Sequence, residues 1–127
     1  MAEAIIYDAV RTPRGKGKKD GALNEVPALQ LLSGTFKAIQ KRNNLDTSFV
    51  EDAIIGCVTQ VAEQGSDIAQ TAAIAAGYSH NTAGVSLNRY CGSGLEAINM
   101  ASANIMAGQS DLIVAGVGVF TTTLNYN

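Results

Sequence analysis

The chain has 127 residues, 46% hydrophobic and 16% charged, a balance that fits one folded domain and excludes a disordered polymer. Nine basic against eleven acidic residues leave a net charge of −2, so bulk charge gives no argument for a nucleic-acid partner. The longest apolar run, residues 112–120, is too short to span a bilayer, so no membrane association is expected.

Met1-Ala2-Glu3-Ala4 shows no basic region before an apolar stretch, so no signal peptide is expected. Cys57 and Cys91 lack the spacing of a disulfide framework and read as reduced thiols of an intracellular, cytoplasmic protein. Residues 4–10 read as a first strand, ended by Arg11-Thr12-Pro13, with a Gly- and Lys-rich loop to residue 26. Pro27 suits the start of a helix, along which Leu29, Leu32, Phe36 and Ile39 recur at helical spacing until Asn43-Asn44. The nearly continuous apolar run 53–58 predicts a second strand buried on both faces, as in a parallel sheet. Ser66 and Asp67 are helix-start residues, and an alanine-rich helix is expected over 68–76, stopped by Gly77. A third strand is read at 84–89, then a helix over 95–107 closed by Gly108, then a fourth strand at 111–116. The alternation predicts an α/β fold: a mostly parallel β-α-β-α-β-α-β sheet with helices on both faces.

Cys91 falls where the third strand turns into a helix, beside Gly92, Ser93 and Gly94. Small residues there let backbone approach the sulfur, and a helix N-terminus favours negative charge. A thiolate nucleophile fits that corner, and so does a small residue packed at a tight turn; placement alone leaves both open. Cys57 lies inside an apolar strand and reads as core. His80, the single histidine, precedes the third strand whereas Cys91 follows it, so it reads as an exposed loop residue rather than a partner of the sulfur. No His and Cys pair has metal-ligand spacing, so no metal site is predicted. Arg11, Arg14, Lys16, Lys18 and Lys19 follow the first strand and are expected at the same sheet edge as Cys91, where ligands of open α/β sheets bind. A solvated loop is the favoured reading of this cluster, ahead of attraction of an anionic substrate. Gln60, Glu63 and Gln64 read as polar decoration of the loop after the second strand.

Four segments carry a family resemblance. They are Ala9-Val10-Arg11-Thr12-Pro13 with the Gly-Lys loop, Ile55-Gly56-Cys57-Val58-Thr59-Gln60, Asn88 through Ala97 around Cys91, and Ala107-Gly108 through Ala115-Gly116. Together they resemble the N-terminal domain of the thiolases, acyl-CoA C-acyltransferases. The resemblance implies that Cys91 is the catalytic nucleophile, that acyl-CoA is the substrate, and that no cofactor is required. The implied reaction is Claisen condensation through an acyl-cysteine, or thiolytic cleavage of a 3-ketoacyl-CoA in reverse. It implies a strand order of 3-2-1-4 and a homo-oligomer, or association with a full-length thiolase, through the third strand.

The likeness departs at Val117-Gly118-Val119, where complete members carry a second Gly and soon a Glu. Residues 1–116 are therefore expected to be an incomplete thiolase N-terminal domain and 117–127 a divergent tail. A helix N-terminus is worth ~0.3–1 kcal/mol to a nearby charge, too little to replace the imidazole that the family places later in the chain. Little or no turnover is expected of the chain alone. A non-catalytic module that pairs with a full-length thiolase is the alternative.

Overall fold

The computed structural model describes residues 3–118. Helix α1 spans Ala28–Asn43. Pro27 provides no side-chain cap, and the orphan N–H of Ala28 is met instead by the Glu63 carboxylate at 3.1 Å. At the other end Lys41 and Arg42 complement the helix dipole, and Asn44 closes the helix in the left-handed conformation (φ 46°, ψ 44°). Ala28, Leu32 and Phe36, each one turn apart, form its buried stripe.

Strand β1 is Asp52–Gly56, β2 is Ala83–Leu87 and β3 is Ile113–Val117. All pair in parallel in the order β2-β1-β3, with Asp52 opposite Ala83 on one side and Ile113 on the other. Helix α2, Ile68–Ala75, lies against β1 and β2, with α1 packed outside it. Helix α3, Ser93–Met106, covers the opposite face against β1 and β3. The expected α/β architecture with helices on both faces is therefore present. Alternation along β1 divides its side chains between two cores. Ala53, Ile55 and Cys57 join Phe36, Ile68, Ala72 and Tyr78, whereas Ile54 meets Ala97 and Ala101 of α3. A side chain such as Ile54, fully buried, contributes about 1.5–3 kcal/mol through burial.

The alanines of α2 bring it close to both neighbours, since Ala69, Ala72 and Ala73 are all buried. Its start is fixed by Asp67, whose carboxylate accepts from the N–H groups of Ala69 and Gln70 and from the Ser86 hydroxyl of β2.

One expected element is corrected. Residues 4–10 form no strand among the described residues, and Ile5, Ile6 and Tyr7 are exposed. The predicted order 3-2-1-4 fails with it, because β3 occupies the edge of β1 that the first strand would have taken. The segment is tied instead to the last turn of α1, where Asp8 accepts from Asn43 at 2.8 Å and pairs with Arg42 at 2.9 Å. Of the tail placed at 117–127, Val117 closes β3 and Gly118 donates to the Gly56 carbonyl; the rest lies outside the described residues.

Candidate active site

The carboxyl ends of the three strands converge on one edge. There the N–H groups of Cys57 and Gly118 bond the carbonyls of Leu87 and Gly56, and Asn88 Nδ2 donates to the Val58 carbonyl at 3.2 Å. Cys91 sits in the turn between β2 and α3 at this edge and is exposed. It stands one residue before the N-cap, Gly92, which offers no side chain to the helix.

Tyr90 is left-handed, with φ 48°. That conformation costs an L-residue roughly 1–2 kcal/mol, so neighbouring contacts must hold it. Its N–H donates to Asn88 Oδ1 at 2.9 Å, and its carbonyl accepts from the Ser93 hydroxyl at 2.6 Å and the Ser93 N–H at 3.1 Å. The Ser93 oxygen in turn accepts from the Arg89 N–H at 2.9 Å. Each such bond is worth about 0.5–1.5 kcal/mol net, enough in sum to offset the strain.

Two of the four N–H groups expected to be free around the start of α3 are consumed by the turn itself, since Gly92 and Ser93 donate to the carbonyls of Arg89 and Tyr90. Those of Gly94 and Leu95 have no acceptor among the described residues. The Arg89–Glu96 ion pair at 3.2 Å is largely exposed and adds little.

Gly56 is the floor of the turn. A Cβ built there would stand 2.5 Å from the carbonyl carbon of Ser93, so the end of β1 and the first residue of α3 touch backbone to backbone. Sequence reasoning took Ser93 only for its size and missed Gly56 altogether. The signal for Asn88 was present, an Asx residue two positions before the strained one.

Cys57 is buried, and burial pushes its thiol above the usual range. Its sulfur faces Gln64 Oε1 at 3.6 Å. The loop residues read as decoration have structural work: Gln64 is buried, Glu63 caps α1, and Gln60 bonds the Cys57 carbonyl. His80 is exposed in the turn before β2, at the strand end opposite Cys91. The basic loop is not brought to Cys91 by a sheet strand as expected. Arg11 lines an open hollow with Ala38 and Arg42, in the last turns of α1 that lead to the amino end of β1. Among the described residues no three His, Cys, Asp or Glu side chains stand together as metal ligands, and no helix is long and apolar enough to cross a membrane.

The profile described as "Thiolase, N-terminal domain" matches residues 4–124. The 3-ketoacyl-CoA thiolase of Colwellia psychrerythraea (strain 34H / ATCC BAA-681) is 43% identical over 117 residues, which cover 91% of this chain and 30% of that protein. The 3-ketoacyl-CoA thiolase of Shewanella loihica (strain ATCC BAA-1088 / PV-4) is 42% identical with the same coverage. The crystal structure of the Bacillus anthracis acetyl-CoA acetyltransferase superposes with a TM-score of 0.83 at 33% identity, over 92% of this chain and 29% of that one. The chain thus spans about 30% of the length of the curated relatives it matches. With a matched profile over nearly all its residues and the sheet and helices superposing, the chain belongs to the thiolase family, as an N-terminal domain.

Proposed function

We propose that this chain carries the nucleophile of a thiolase-type acyltransferase and that Cys91 is its acyl acceptor. The observation that carries the reading is the exposed Cys91 on a strained strand–turn–helix corner, at the sheet edge where all three strands end. The Cys91 sulfur attacks the carbonyl carbon of an acyl-CoA thioester. The carbon–sulfur bond to coenzyme A breaks, its sulfur leaves with the electron pair, and the proton lost by Cys91 goes to that sulfur. In the second half-reaction a base takes the proton beside the carbonyl of a second acyl-CoA, that carbon bonds to the acyl carbonyl carbon, and Cys91 leaves as a thiolate that takes the proton back. Thiolysis is the same sequence reversed. Splitting the transfer at a covalent intermediate replaces one hard step by two easier ones.

Complete turnover needs a base for the second substrate and donors for the developing oxyanion, usually the larger contributions. His80, the single histidine, stands at the wrong end of β2 to serve Cys91. The isolated chain is therefore proposed to accept an acyl group but to turn over slowly or not at all. The apolar side chains of Leu95, Ile98 and Met106, exposed along α3, favour its working against a further layer of protein. The substrate is an acyl-CoA, with no cofactor, and the compartment is proposed to be the cytoplasm. The test is incubation with acetyl-CoA, followed by mass mapping of the adduct and an acetoacetyl-CoA thiolysis assay. An acetyl group on Cys91 with negligible thiolysis is the expected result. Acetylation elsewhere refutes the role of Cys91, and thiolysis at a complete enzyme's rate refutes the slow turnover.

A second reading has its own observation: β2 is an edge strand with one side unpaired among the described residues. A non-catalytic module could pair there with a second copy or with a full-length thiolase. Co-purification with a complete thiolase supports this reading; a strictly monomeric chain by light scattering counts against it.

A further inference from the structure

The hydroxyl of Ser93 is sealed from water and used twice. The residue is 0% exposed and pressed onto Gly56; its oxygen accepts from the Arg89 N–H and its O–H donates to the Tyr90 carbonyl. Asn88 completes the arrangement, its Oδ1 accepting from the Tyr90 N–H while its Nδ2 anchors on the Val58 carbonyl. Both peptide groups that flank Tyr90 are therefore held, one from each side. Returning Tyr90 to a negative φ would rotate those groups relative to one another and break at least one tether. Cys91 follows directly, so the direction in which its side chain leaves the backbone depends on that rotation.

We infer that Ser93, together with Asn88, forms a positioning clamp for acyl transfer, locking Tyr90 in its left-handed conformation so that Cys91 meets the thioester in one fixed orientation. The inference rests on the reading of Cys91 as acyl acceptor. Neither clamp residue takes part in a bond change; both act through the Tyr90 peptides. A cap that merely stabilised the helix would need only one of these bonds. Tethering both sides of the strained residue is what a fixed direction of approach requires.

The test uses the whole 127-residue chain. Two rates are measured at Cys91: acetylation by acetyl-CoA, which demands an oriented approach, and alkylation by iodoacetamide, a small electrophile that does not. The three-bond coupling between the Tyr90 α-proton and the Arg89 carbonyl carbon in labelled protein, large only at positive φ, reports its conformation. Ser93→Ala is expected to lower the ratio of acetylation to alkylation by about tenfold to a hundredfold, the usual effect of misplacing a reacting group by ~1 Å. The left-handed coupling is lost in parallel. Asn88→Ala is expected to act in the same direction, and Asn88→Asp, which keeps the Oδ1 acceptor, recovers most of the loss. General destabilisation is separated by urea titration of each variant: once the ratio is corrected for the folded population, a merely structural loss returns it to the wild-type value. A wild-type ratio and coupling in Ser93→Ala overturn the clamp; if that variant does not fold, the same result in Asn88→Ala overturns it. Absence of acetylation at Cys91 in the unaltered chain removes the acceptor itself and the positioning role with it. Normal acetylation with an unchanged ratio in the variants removes the positioning role alone.

Discussion

The contact between Gly56 and Ser93 can be tested by adding a single methyl group. A Cβ at position 56 would lie 2.5 Å from the Ser93 carbonyl carbon, 2.6 Å from its oxygen and 2.7 Å from its Cβ. Ordinary carbon contacts begin near 3.5 Å, so the start of α3 must retreat from β1 by roughly 1 Å. The obstacle is backbone, with no flexible tip to swing aside, and overpacking of this kind costs about 1–3 kcal/mol, occasionally more. Gly116→Ala is the matched control, since a Cβ at this site in neighbouring β3 meets nothing within 4 Å. That substitution should be neutral or slightly stabilising, because it restricts only the unfolded chain. Urea titration reads both variants: the midpoint falls for Gly56→Ala at unchanged slope, and holds or rises for Gly116→Ala. Acetylation of Cys91 should fall further in Gly56→Ala than its loss of folded population accounts for. Two variants of equal stability would refute the argument, because the end of β1 and the start of α3 would then not meet backbone to backbone.

Three further outcomes are expected. Asp67→Ala removes the cap of α2 and the acceptor of the Ser86 hydroxyl, and should cost about 1–2 kcal/mol by denaturant titration, with Asp67→Asn losing less. Burial raises the Tyr78 phenol from 10.0 to about 12, so the neutral form is favoured in the folded state. Stability from this group is therefore complete below pH 10 and falls by up to about 1.4 kcal/mol per unit between pH 10 and 12. Tyr78→Phe, which loses the bond to the Phe36 carbonyl, should cost about 1 kcal/mol at neutral pH and flatten that alkaline decline. Finally, iodoacetamide should label Cys91 in the native chain and leave buried Cys57 untouched until urea exposes it, as mass mapping would show.

Period and punctuation made most of the helices legible in advance. Leu32 and Phe36 at four-residue spacing, Asp67 before an alanine run and Gly77 after it correspond to observed stripe, cap and stop. The run 53–58 announced a strand buried on both faces because no position in it was polar, and β1 is that strand. Residues 4–10 carried an equally good pattern and join no strand among the described residues, because a pattern specifies the kind of edge a segment wants and says nothing of whether one is free. The turn at Cys91 was legible as a corner. Its clamp was not, because the bonds of Ser93 and Asn88 depend on the left-handed Tyr90, a residue that no propensity would place there. Gly56 stayed hidden for a related reason: its importance comes from a helix that begins far downstream.

The placement of β1 in the middle of the sheet affects how the chain can be made. Its two partners come later in the sequence, Ala83 pairing with Asp52 first and Ile113 only after another helix has been synthesised. On a ribosome the earliest strand therefore waits with both rims open, then with one, while the chain grows. A β-α-β unit of residues 52–87 can close early, but the second rim stays available to strangers until β3 emerges. Any pause in translation between those two points would lengthen the interval in which this most apolar strand is open to misassembly.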